Sequence, residues 1–277
     1  MTKFALLMTV CAAAAVAAPK VTYNKDVAPI IQEKCQVCHR PGEIAPMTFM
    51  NYAQVRPWAK AIKSAVAARK MPPWFANPAH GKFSNDWSLS QQQVDTLVAW
   101  AGGEALEGDK KDLPAPKQWL TGWNIANPDF VLEMPDAFPI PASGKIDYQY
   151  LVMPTNFTED KWIQMVEVRP TFRPSVHHVV VFVREKGNNW LSQAQPGVPY
   201  VPPSNQQFQN TLGANNEVLT VYTPGMVPDI WKPGLAKLIP AGADLVFQLH
   251  YTPNAKAGAG MDKTKVGMVF AKQPPAE

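Results

Sequence analysis

The chain has 277 residues, with 26 Lys+Arg against 22 Asp+Glu and a formal net charge of +4. That surplus is too small for a protein that neutralises many phosphates, so no nucleic-acid partner is expected. Hydrophobic residues at 46% and charged residues at 17% exclude a disordered chain, and three cysteines exclude a disulfide scaffold.

The N-terminus has the form of a signal peptide, residues 1–17. Lys3 supplies the positive charge, Phe4 to Val16 is apolar, and Ala15-Val16-Ala17 is a small-x-small cleavage site. Cys11 would leave with it. The apolar run is short for a membrane anchor, and no later stretch is long and apolar enough to cross a bilayer. The mature chain is therefore expected to be soluble and periplasmic or secreted, without an integral membrane segment.

The length suits about two domains. Residues 18–108 read as a small helical one. Val27, Ile30 and Ile31 recur at helical spacing before Cys35. Pro57 can open a second helix with Trp58, Ile62, Ala65 and Val66 on one stripe. Ser90 and Gln93 form a capping box for a third helix, with Val94, Leu97, Val98 and Ala101 as its buried face and Gly102-Gly103 as its stop.

Within this segment stands Cys35-Gln36-Val37-Cys38-His39. Two thiols three positions apart can bond both haem vinyl groups, and the following imidazole can take the iron. A thioredoxin-like pair would need a strand before the motif. A zinc site would need further ligands, and only His80 is near. Covalent haem c is the expected cofactor. For the sixth iron ligand the candidate is Met71, in Arg69-Lys70-Met71-Pro72-Pro73-Trp74, where two prolines hold the chain extended beyond the thioether. Met47, Met50 and His80 are its rivals. The order of helix, CxxCH, middle helix, Met loop and closing helix resembles class I cytochrome c over the whole segment.

Residues 109–128 read as a linker able to pack through Trp119 and Trp123. Of the 28 prolines, 20 follow residue 108, favouring short strands and many turns. From residue 129 onward, eight apolar runs rich in Val, Phe and Tyr follow: 130–134, 146–153, 162–168, 176–184, 218–222, 236–239, 245–252 and 266–271. They predict an antiparallel β-sandwich of jelly-roll type over 129–277. The fold class expected is thus multi-domain, a small helical cytochrome c domain followed by an all-β sandwich. The connection 185–217 is long enough to be functional or mobile.

Of five histidines, three fall in this second domain, His177, His178 and His250, all within apolar strands. Buried imidazoles need partners, and one metal ion would satisfy all three. Three imidazoles suit copper or zinc alike. Neighbours on a regular strand point to opposite faces, so His177 and His178 can share an ion only at a strand end or a bulge. Otherwise one is a hydrogen-bonded core residue and the other is exposed.

The segment Ser175-Val176-His177-His178-Val179-Val180-Val181-Phe182 resembles the His-His strand of copper type II, ascorbate-dependent monooxygenases of the peptidylglycine α-hydroxylating kind. Tyr222-Thr223-Pro224-Gly225, Leu238-Ile239-Pro240-Ala241-Gly242 and Gln248-Leu249-His250-Tyr251 are similar to the tract leading to the third ligand of that family. The resemblance implies that residues 129–272 form the domain that holds one electron-storing copper, on His177, His178 and His250. It departs from the family in having no cysteines to staple this domain. It also has no His-x-His pair for the oxygen-activating copper, whose domain is the expected missing partner.

The expected function is an exported oxidoreductase in which haem c passes single electrons to one copper ion. The complete relative hydroxylates C–H bonds with dioxygen, and this chain is expected to be a truncated form with no catalytic residue of its own. A redox protein or small reductant would supply the electrons. The alternative is a non-enzymatic c-type electron carrier whose sandwich is a docking module with its histidines unmetallated. Loss of the partner domain should also expose apolar side chains on the strands carrying His178 and His250 and along 266–275.

Overall fold

The computed structural model describes residues 20–83, 85–119, 122–203, 216–273 and 275–276. The proposed signal segment 1–17 lies outside them. The described chain is mostly antiparallel β, preceded by a few helices. Among the described residues, no helix is long and apolar enough to cross a membrane.

The helices surround one apolar core. Residues 23–35 form a continuous helical run whose buried apolar side chains are Tyr23, Val27, Ala28, Ile30 and Ile31. Its last turn is widened, Gln36 N–H bonding the Ile31 carbonyl at 2.9 Å. The middle helix, Ala59–Ala67, buries Ala59, Ile62 and Val66. Trp58 is not on that stripe: residues 52–58 are already helical, and Trp58 stays 38% exposed. The third helix, Gln91–Gly102, has the reciprocal Ser90–Gln93 capping box and buries Val94, Leu97, Trp100 and Ala101. The chain beyond it closes the group, with Tyr23 and Asn24 N–H bonding the Leu106 and Glu107 carbonyls at 2.9 and 2.8 Å.

Among the described residues the β part has eleven strands: β1 (Phe130–Glu133), β2 (Phe138–Ile140), β3 (Gln149–Pro154), β4 (Lys161–Arg169), β5 (Val176–Arg184), β6 (Asn216–Tyr222), β7 (Asp229–Ile230), β8 (Lys237–Ile239), β9 (Asp244–Tyr251), β10 (Gly260–Asp262) and β11 (Lys265–Phe270). Each of the eight apolar runs overlaps one of them. The additional strands β2, β7 and β10 are two or three residues long and had no apolar run to announce them. Of the two larger sheets, one has the order β1-β11-β4-β7, with β8 also on β4, and the other has the order β3-β9-β5-β6, while β2 and β10 pair as a separate two-stranded sheet. All pairings are antiparallel.

The two sheets share one core, consistent with a sandwich. Ile163, Val166, Val266 and Met268 from the first meet Leu151, Val179, Val181, Phe247 and Leu249 from the second. Period two then sends the alternate residues Tyr150, Val152, Val180, Phe182 and Val246 to the other face of the β3-β9-β5-β6 sheet. There they pack with Trp190 and Leu191 from the loop after β5. This corrects the expectation of an exposed apolar face. Phe182 and Val246 are covered by the chain's own loop, and Val266 and Met268 are interior because β11 lies between β1 and β4. The exposed apolar side chains near the edge strand β7 are instead Met226, Val227 and Ile230.

The segment between the two cores is strapped down. The Glu167 carboxylate, 6% exposed, accepts from Asn124 N–H at 2.6 Å and from Asn124 Nδ2 at 2.7 Å. Trp123 lies on Gly267, where a Cβ would come within 2.9 Å of its ring. Trp119 lies under Arg40, 4.0 Å from guanidinium carbon to ring centroid.

Candidate metal centre and thiol–imidazole motif

The three histidines of the β part converge. One nitrogen from each of His177, His178 and His250 lies within 4.8 Å of the others. The backbone register explains how neighbours on one strand achieve this. Val176 pairs with Tyr251 and His178 with His250, so β5 advances two residues where β9 advances one. His177 is the extra residue of that bulge, which turns its side chain toward the face that His178 already occupies. The cluster sits at the start of β5 and the end of β9, on the outer face of their sheet, with His177 exposed and the other two half-buried. A metal ion can be held there.

The geometry within the cluster suits an ion. His177 Nδ1 and His178 Nδ1 are 3.2 Å apart. Two nitrogens on a tetrahedral ion with bonds of about 2.0 Å stand about 3.3 Å apart. His250 Nδ1 is buried with no hydrogen-bond partner. Tyr148 packs over the group, its ring 4.5 Å from that of His250 and 5.6 Å from that of His178. The His178 pKa is pushed down to about 4, first by burial and then by His250 and His177; a hydrogen bond with the Gln248 side chain opposes the shift. Burial and His177 also lower that of His250. Both shifts favour the neutral ring, the state in which imidazole binds a metal.

Sequence reasoning did not assign Gln248 and Tyr150. Gln248 Nε2 donates to Tyr150 Oη at 2.7 Å, and the same side chain hydrogen-bonds His178. Period two along β9 was the available signal, since it puts Gln248 on the face of His250.

The CxxCH motif forms one turn continuing the first helical run. Cys38 and His39 N–H both bond the Cys35 carbonyl, at 3.1 and 2.9 Å, and both thiols are free. Burial, then the neighbouring Cys38, pushes the Cys35 thiol up to about 12. The Cys38 thiol is also raised, by burial and by Glu43, with Arg40 opposing. His39 stacks flat on Phe49, centroids 4.4 Å apart, and its Nδ1–H donates to the Met47 carbonyl at 3.2 Å. That bond fixes the tautomer and leaves Nε2 as the free lone pair. Burial lowers the His39 pKa.

Met71 lies on the loop after Ala59–Ala67, 45% exposed, and no hydrogen bond among the described residues ties it to His39. The same loop exposes Phe75 at 85% and Phe83 at 51%. His80 is exposed there too. Met47 packs against the helical core instead. Comparison with protein-family models finds no match for this chain, and comparison with curated proteins finds none either.

Proposed function

We propose that this chain is an exported electron-transfer oxidoreductase. It joins a c-type cytochrome domain to a jelly-roll-type sandwich that holds one copper ion, as in the electron-storing domain of copper type II monooxygenases. The observation that carries the reading is the convergence of His177, His178 and His250 across a bulge at donor spacings suited to one ion. An unmetallated docking module would not need three imidazoles gathered within reach of one ion.

The thiol–imidazole motif fits haem c. Cys35 and Cys38 share one turn, His39 presents Nε2, and the loop after Ala59–Ala67 leaves the apolar side chains of Met71, Phe75 and Phe83 exposed. Met71 is the proposed sixth ligand. With iron at His39 and copper at the three histidines, the bound groups would supply a one-electron relay. That relay would pass one electron from iron(II) to copper(II), with a redox protein or small reductant as the external one-electron donor. The chain's own residues do the rest. Met47 and Phe49 hold His39, Gln248 holds His178, and the low basicity of His178 and His250 keeps protons off the ligands.

The test is metal analysis and an ultraviolet–visible spectrum of the exported protein. One haem that survives denaturation and one copper per chain are expected. Cys35→Ala should lose most of the haem, and His250→Ala the copper. Haem that extracts freely would remove the cytochrome reading, and a wild-type chain without copper would remove the copper reading. Two coppers per chain would show that a second site exists.

A further inference from the structure

We infer that Glu43 is a positioning residue: with Arg173 it latches the turn carrying Cys38 to the foot of the strand carrying His177 and His178. The inference rests on the haem-to-copper reading above and adds what holds the two centres at a fixed junction.

Glu43 follows the CxxCH turn, and Arg173 immediately precedes β5. The two are 130 residues apart in sequence, yet Arg173 Nη1 and Arg40 Nη2 both donate to Glu43 Oε1, the latter at 2.6 Å. The three side chains are only 10–18% exposed. A surface ion pair contributes little. A carboxylate withdrawn from water between two guanidinium groups is costly unless its hydrogen bonds are met, so it selects one arrangement of the surfaces that carry it. Arg40 is itself tied to the motif, bonding the Gln36 and Val37 carbonyls at 3.1 and 2.7 Å. Trp119 covers it from the connecting segment.

A second contact lies beside the latch. Gly225 has φ +87°, and a Cβ built on it would stand 3.0 Å from Cys38 Sγ. The backbone after β6 therefore approaches the motif sulphur as closely as a glycine permits. From Gly225 the chain leads in three residues to Tyr222, which pairs with Val179, the neighbour of His178. Even if the turn at 223–225 were fully extended, its three residues, one ladder step and one peptide unit would limit the path to about 20 Å of backbone. On the other side, Arg173 is four residues from His177. Both contacts join the thiol–imidazole turn to the same end of the sheet as the metal cluster. In the proposed transfer one electron crosses this junction from iron(II) to copper(II), with no bond made or broken.

The experiment compares wild type, Glu43→Gln and Arg173→Lys in the full exported chain loaded with haem and copper. It has two readouts. The first is the rate of cleavage within 109–128 by a trace protease, measured also on the metal-free chains. The second is the rate of haem oxidation by the copper after flash reduction. Cleavage about tenfold faster and electron transfer at least tenfold slower are expected for Glu43→Gln, with haem spectrum and copper content unchanged. Arg173→Lys, which keeps the charge without the fork, should fall between. Should Glu43→Gln fail to fold, Arg173→Lys and Gly225→Ala, which pushes against Cys38 directly, carry the same comparison. Loaded variants with wild-type cleavage and wild-type electron transfer would overturn the latch alone. A wild-type chain that takes up no haem or no copper is seen at the loading step and overturns the function on which it rests.

Discussion

At the scale of single residues, the site depends on which atoms each imidazole leaves free. His39 spends Nδ1 on the Met47 carbonyl, while His177 and His178 turn Nδ1 toward each other. Gln248 bridges His178 and Tyr150 and so orients a proposed ligand from behind. Partners of this kind are worth tenfold to a hundredfold in metal affinity. Gln248→Leu, measured by competition with a chelator, should weaken copper binding by about that factor while leaving the fold intact. An unchanged affinity would show that His178 is held by packing alone.

The acid sensitivity of the metal-free protein follows from the same residue. The folded state holds the pKa of His178 at about 4, below its ordinary value of about 6.5 in an unfolded chain. Between those values the unfolded chain takes up a proton that the folded one refuses. The stability linked to this group is present above about pH 6.5 and is lost as pH falls toward 4. Urea midpoints of metal-free wild type should therefore drop more steeply over that window than those of His178→Gln. Parallel curves would mean that the ring titrates freely.

At the scale of elements, the β5 bulge decides whether two adjacent histidines can serve one ion, and the hydrophobic pattern alone could not place it. Val176 to Arg184 is apolar nearly throughout, so no alternation marked where the register slips. The eight apolar runs were legible as strands because each carries enough apolar side chains, Val, Phe or Tyr in seven of them and Leu238 and Ile239 in the other, to be buried on at least one face. Strands β2, β7 and β10 were not, since two or three residues carry no period. Trp58 went astray for a related reason: the stripe through Ile62 and Val66 was extended one turn too far, into a segment that is already wound and faces solvent. The expected apolar face on β5 and β9 was misplaced because strand pattern does not reveal that Trp190 and Leu191 fold back over it. Asp262, wholly buried, takes on the turn that leads into β5. It accepts from Thr171 N–H at 2.7 Å, Phe172 N–H at 3.1 Å, Tyr251 Oη at 3.0 Å and Thr264 Oγ1 at 2.6 Å. Asp262→Ala would strand two backbone donors at about 1–3 kcal/mol each. A loss of about 3 kcal/mol or more is expected in denaturant unfolding, with weaker copper binding because that turn sets where His177 begins. A loss below 1 kcal/mol would mean that water replaces the carboxylate.

At the scale of the whole molecule, two apolar cores are joined by the strapped segment and the Glu43–Arg173 contact, while the proposed copper site belongs wholly to the second core. His177 and His178 come from β5 and His250 from β9, so an ion bound there links two strands already paired through the middle of their sheet. Binding to the folded state alone stabilises it by about 2.7 kcal/mol at a free-ion concentration one hundred times Kd. Copper should accordingly raise the thermal midpoint of the β part, followed by near-ultraviolet circular dichroism of its tryptophans. Chelation should reverse the shift, and His250→Ala should remove it. The transition of the helical part, followed in the Soret band of the proposed haem, should move less with copper, since no proposed copper ligand lies in that core. A copper-dependent shift that persists in His250→Ala would place the ion somewhere other than the three-histidine cluster.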